Sequence, residues 1–280
     1  MKPTVALVLG SGGARGIAHI GVIRELINEG YEISSISGSS IGAVIGGLYA
    51  MGKLPEYTDW VATLNRRDVW DLMDFTMTTS GLMKGERVFD KMKTFIPDKN
   101  IEDMNIPFAA VATDILNETE FVLTEGSFYE AVRASIAIPA VFKPVKVNDK
   151  ILVDGGVLSP IPIEHVTRNH GDILVVVNLY GNKKDVIAEK NQNGLLNAIS
   201  KLIATGDKQS VGYLSLLTSI SSTMIHKIAK LNIEKYKPDI VINIPCDSAS
   251  TFDFFKAKEL IDMGAIAANE AITCYLKDCI

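Results

Sequence analysis

Along its first fifty positions the chain alternates between short unbroken apolar runs and stretches with helical spacing. Thr4 to Leu9 (TVALVL) is β-rich and too short for a helix, which predicts a buried strand. A helical pattern follows from Ala14 to Asn28, and Gly30 supplies its stop. Ile33 to Ser37 predicts a second strand and Ile41 to Met51 a second helix. Two such units in a row predict a parallel sheet covered by helices on both faces.

The pattern then loosens. Pro55 to about Ile96 reads as mostly helical, broken by the turns TTSG and MKGE. Phe108–Thr113 and Thr119–Leu123 predict strands joined by DILNE, and Phe128–Ser135 a short helix that Pro139 stops. Two short strands flank the tight turn Asn148-Asp149, the second ending at Asp154. Ile161 to Asn169 reads as a helix closed by Gly171, and Ile173 to Val177 as a buried strand. From Gly194 to Leu231 the spacing is helical, with Leu217, Ile220, Met224, Ile228 and Leu231 in one stripe; the leucines and methionines here and between Pro55 and Ile96 read either as core or as the wall of an apolar groove. Ile240–Ile244 and Phe254–Leu276 predict a last strand and a last helix. No linker or repeat divides the chain. The expectation is one α/β domain over residues 1–280, with a mainly parallel sheet sandwiched between helices in three layers.

Composition narrows the function. With 280 residues, 47% of them hydrophobic, the chain can bury a large core. A net charge of -5 with scattered lysines and arginines argues against a nucleic-acid partner. Cys246, Cys274 and Cys279 have no metal-ligand spacing and read as reduced thiols of a cytoplasmic protein. The Val5–Leu9 run is too short for a signal-peptide core, and no membrane span is expected.

Two loops carry candidate chemistry. GSGGARG (Gly10 to Gly16) joins the first strand to the first helix, where backbone N–H groups converge. A dinucleotide fingerprint would need a third glycine where Arg15 stands, and a phosphate loop would need Gly-Lys-Ser/Thr, which does not follow. An oxyanion hole and a plain tight turn remain open. Gly38-Ser39-Ser40-Ile41-Gly42 matches G-x-S-x-G between a strand and a helix, which puts Ser40 at the nucleophile position. The Ile41 N–H, at the helix start, can join the oxyanion donors.

Ser40 needs a base. Of the four histidines, His19 reads as a structural residue, His165 and His170 flank the end of a short helix, and His226 falls on a solvated helix face. The order Ser40, Asp154, His226 would suit an α/β-hydrolase triad, but no histidine sits at a strand end. Asp154 does, followed by two glycines, although Asp-Gly is also a common turn signal.

Together, GSGGARG, GSSIG, ASIAIPAVFKPV (Ala134 to Val145) and DGG (Asp154 to Gly156) stand in the order in which they occur in the patatin-like phospholipases, which this chain resembles. The resemblance implies a Ser40–Asp154 dyad and an oxyanion hole at Gly12 and Gly13, with Arg15 near it; Arg15 reads either as a ligand for an anionic lipid head group or as a residue packed across the loop. It implies a lipid acyl ester as substrate and no metal or organic cofactor; for a cytoplasmic protein acting on lipid, peripheral contact with a membrane is one open expectation. Competing with it are an α/β-hydrolase-type esterase with a Ser-His-Asp triad and a non-catalytic module binding a lipid or nucleotide. Oligomeric state is not legible in the sequence.

Overall fold

The computed structural model describes residues 2–73, 85–139, 141–182 and 213–278. Its strands are β1 (Thr4–Leu9), β2 (Glu32–Ser39), β3 (Phe108–Asp114), β4 (Thr119–Leu123), β5 (Val145–Val147), β6 (Lys150–Asp154), β7 (Ile173–Gly181) and β8 (Ile240–Pro245). They form one sheet in the order β5-β6-β3-β2-β1-β7-β8, with β4 also on β3. Neighbours from β3 through β8 run parallel, while β4, β5 and β6 pair antiparallel. The helices are α1 (Ala18–Asn28), α2 (Ile41–Ala50), α3 (Leu54–Val61), α4 (Arg66–Leu72), α5 (Glu86–Lys93), α6 (Phe128–Ser135), α7 (Tyr213–Tyr236) and α8 (Ala257–Asp278).

The central strands are apolar on both faces because both are covered. Val5, Leu7 and Leu9 of β1 join the large cluster beneath α1, α2 and α8. The alternating Ala6 and Val8 join Leu174, Val176, Ile161, Ile163 and Ala229 of α7 on the opposite face. This is the three-layer, mainly parallel α/β architecture that the opening pattern predicts. Among the described residues no helix is long and apolar enough to cross a membrane.

Two expectations are corrected. Residues 161–169 are not a helix: a single 3₁₀ turn, Ile163–His165, lies within otherwise irregular chain. The segment sends its carbonyls outward rather than up a helix. Pro160 O accepts from the Ser11 N–H, Pro162 O from Ser37 Oγ, Ile161 O from Asn232 Nδ2 and Thr167 O from Ser35 Oγ. Gly171, at φ 94°, therefore turns a loop rather than capping a helix.

The stripe on α7 is helical but is not core. Ile220, Met224 and Leu231 are 47%, 60% and 47% exposed, whereas Ala229, with Ile233 and Tyr236, meets the sheet. Ala229 lies about two and a half turns beyond Ile220, so it projects from the opposite side of the helix. The predicted turns TTSG and MKGE lie outside the described residues, apart from Gly85 and Glu86, as do Leu217's side chain and the start of the helix expected from Gly194.

Candidate active site

The sheet brings Ser40 and Asp154 together by a break in its own order. β4 lines one edge of β3 along Ala110–Asp114, so β2 and β6 must share the other edge. β2 runs up it to the pair Ser39–Val111, and β6 comes down it to the pair Asp154–Ala112. Their C-terminal ends meet head-on. Room for the meeting depends on Gly155, where a Cβ would stand 2.0 Å from Val111 O.

At this junction β2 turns sharply into α2. Ser40 takes φ 56°, ψ -125°, a region that L-residues reach only at a cost of about 1–3 kcal/mol. Gly42 lets the helix start against β1, since a Cβ there would lie 2.1 Å from Leu9 O. Ser40 Oγ donates to Asp154 Oδ2 at 2.5 Å, and Asp154 Oδ1 accepts from the Gly156 N–H at 2.7 Å. Both residues are buried, at 4% and 6% exposure. Burial pushes the Asp154 carboxyl up to about 6, although the Ser40 hydroxyl and the Gly156 N–H pull the other way. A carboxylate so placed accepts the serine O–H and is a stronger base than an exposed aspartate.

The glycine loop borders the same spot. The Ser11 N–H is used by Pro160 O and the Ala14 N–H by Thr251 O. The N–H groups between them, on Gly12 and Gly13, have no partner among the described residues. The Ile41 N–H stands in the first turn of α2, where no carbonyl one turn back can receive it. Gly13, Ser40 and Ile41 all border one cavity of ≈ 120 Å³. Its walls come from α2 (Ile41, Val44), α3 (Trp60), α5 (Phe89), Ile138 and Phe252, and no charged side chain lines it among the described residues. The helical region after Pro55 thus supplies much of the apolar wall.

Residues 7–167 match the profile of the Patatin-like phospholipase family. The chain belongs to that family. All four blocks of the resemblance lie inside the matched range. An uncharacterized NTE family protein of Mycobacterium tuberculosis is 38% identical over 202 residues, covering 72% of this chain and 56% of the relative. Lysophospholipase NTE1 of Kluyveromyces lactis is 26% identical over 93% of this chain and 18% of its own length. Human patatin-like phospholipase domain-containing protein 6 is 27% identical over 93% of this chain and 20% of its own. The chain therefore spans about half or less of these relatives. The crystal structure of VipD from Legionella pneumophila covers 96% of this chain and 67% of its own, with TM-score 0.48 and 15% identity.

Within this patatin-like fold the histidines are engaged elsewhere. His19 is fully buried beneath the glycine loop, its Nε2 2.9 Å from Gly10 O, and burial lowers its pKa to about 4. His165 pairs with Glu120, and His170 is exposed. His226 is half-buried rather than solvated, its ring packed edge-on to Tyr180 at 4.7 Å. Arg15 Nη1 donates to Cys246 O at 2.5 Å, and its guanidinium lies 5.7 Å from the centre of the Tyr180 ring. Among the described residues no group of three or more His, Cys, Asp and Glu could hold a metal ion.

Three contributors are not legible in the sequence. Thr251 and Phe252 approach the loop and cavity from a turn after β8 and carry no local motif. Ser135 lies within the ASIAIPAVFKPV block, yet nothing in its spacing says that its hydroxyl meets the Ser40 backbone.

Proposed function

We propose that this chain is a serine acyl hydrolase that cleaves carboxylic-ester bonds of lipids, phospholipid or lysophospholipid, through a Ser40–Asp154 dyad. The observation that carries the proposal is the 2.5 Å bond from Ser40 Oγ, in the wall of an apolar cavity, to a buried carboxylate. The yeast lysophospholipase and the human patatin-like phospholipase domain-containing protein support the substrate class by name.

In this scheme Asp154 takes the Ser40 proton as Oγ bonds to the ester carbonyl carbon. The Gly12, Gly13 and Ile41 N–H groups stabilise the oxyanion, each typically worth about 10²–10³ in rate. The tetrahedral adduct collapses, the C–O bond breaks, and Asp154 protonates the leaving alkoxide. Water then gives a proton to Asp154 as it attacks the acyl-enzyme, and Ser40 leaves with that proton. No metal or organic cofactor enters. Arg15 serves as a clamp between the glycine loop and the end of β8, in preference to a head-group ligand. The domain reaches its substrate from the cytoplasm by peripheral contact with a membrane.

A fluorophosphonate should label Ser40. Since Asp154 must be ionised, labelling and kcat/KM for p-nitrophenyl butyrate should both fall about tenfold per pH unit below about 6. Labelling of Ser39, or none on folded protein, contradicts the proposal.

The cavity is the proposed acyl site. Val44→Phe fills it beside Ser40, and each buried methylene contributes about 0.8 kcal/mol. The ratio of kcat/KM for p-nitrophenyl decanoate over butyrate should fall at least about tenfold. An unchanged ratio would place the chain elsewhere.

A further inference from the structure

The stretch that leaves α6 touches both members of the dyad through the backbone. The Ser40 N–H donates to Ser135 Oγ at 2.8 Å, and that hydroxyl in turn donates to Val111 O at 2.6 Å. Two residues on, Ala137 O accepts the Asp154 N–H at 2.9 Å. Val111 is the rung opposite Ser39, where β2 leaves β3 and β6 takes its place. Ser135 is fully buried, so its hydroxyl fills the gap in the ladder with one bond accepted and one donated.

We propose that Ser135 is a positioning residue for the dyad: its hydroxyl pins the Ser40 amide while the adjoining Ala137 carbonyl pins that of Asp154, so residues 135–137 fix the nucleophile against its base. The inference rests on the reading of Ser40 and Asp154 as the catalytic pair. Three observations converge on it. Ser40 is held at a positive φ, where an amide left without a partner would let the turn relax and swing Oγ away from the carboxylate. With its N–H committed to Ser135, Ser40 cannot supply that donor to an oxyanion, which leaves the task to Gly12, Gly13 and Ile41. Ile136 and Ile138, which border the cavity, flank the Ala137 carbonyl. Removing the Ser135 hydroxyl leaves their side chains in place, so substrate binding should persist while geometry at the reacting atoms is lost.

The test measures kcat, KM and the pH profile of Ser135→Ala with p-nitrophenyl butyrate, well below its melting temperature. A small displacement of reacting groups costs up to about 10² in rate, so kcat should fall about 10- to 100-fold with KM within about twofold. The acid limb should also move to higher pH, because a weakened Ser40 hydrogen bond lets burial raise the Asp154 carboxyl further. Ser135→Cys, which keeps the volume with a weaker donor and acceptor, should fall between; if the alanine variant does not fold, the cysteine variant carries the test by the same split. Wild-type kcat in a folded variant, or a loss confined to KM with the acid limb unmoved, overturns the proposal. Ser40→Ala separates the two readings. If it keeps wild-type activity, the dyad itself is wrong; if it is inactive while Ser135→Ala matches wild type, only the positioning role fails.

Discussion

Asp154→Asn is expected to abolish ester hydrolysis and, at the same time, to make the protein more stable at pH 8. Asparagine keeps the shape of the side chain and an acceptor for the Gly156 N–H, but it cannot take a proton from Ser40. The loss in kcat should be at least about 10³-fold, in the range set by removing a general base or the partner of an activated nucleophile. The stability gain follows from burial. The carboxyl titrates near 6 in the fold, above the ordinary 3.8. A raised value in an acid means that the fold favours the neutral form. The cost of charging it is absent below about pH 3.8 and fully present once the pH has risen through about 6. At pH 8 that cost is about 3 kcal/mol, which the asparagine does not carry. Melting curves should therefore show Asp154→Asn several degrees above wild type at pH 8, with the gap closing towards pH 4. Equal melting temperatures at pH 8 would mean that the carboxylate is better solvated than its burial implies.

Replacing Ser40 should be equally severe for activity and should expose the strain in the turn. Ser40→Ala and Ser40→Gly both remove the nucleophile, and each should reduce hydrolysis at least about 10³-fold and eliminate fluorophosphonate labelling. They differ only in backbone. Alanine must hold φ 56° as serine does, whereas glycine reaches that region freely. Both lose the bond to Asp154, so that loss cancels between them. Ser40→Gly should thus be more stable than Ser40→Ala by about 1 kcal/mol, read by denaturant unfolding. A glycine variant less stable than the alanine one would show that the turn is not strained.

Much of the candidate site is legible in the sequence, for identifiable reasons. β1, β2 and α2 are buried on most sides, so their apolar runs and the glycines of GSSIG are dictated by packing. Ser40 follows because a strand, a sharp turn and a helix in that order leave one hydroxyl at the junction. Asp154 was less legible: Asp-Gly signals a turn, and only the head-on meeting of β2 and β6, which depends on long-range register with β3, makes that turn a partner for Ser40. The helix expected over residues 161–169 does not form because its carbonyls are claimed by Ser35, Ser37 and Asn232, which local spacing does not record. The core reading of the stripe on α7 fails for a related reason. Periodicity shows that a helix has two faces but not which one the sheet will cover.

In the proposed dyad Asp154 alone serves Ser40; because an ordinary histidine also titrates near pH 6, the direct test removes the histidines themselves. The decisive measurement is kcat/KM for p-nitrophenyl butyrate by the triple variant His165→Ala, His170→Ala and His226→Ala. His19 stays in place because it bonds the Gly10 carbonyl under the loop. The dyad predicts activity within about threefold of wild type, beside an inactive Asp154→Asn. A triple variant as inactive as Asp154→Asn would contradict it and put a histidine in the proton path.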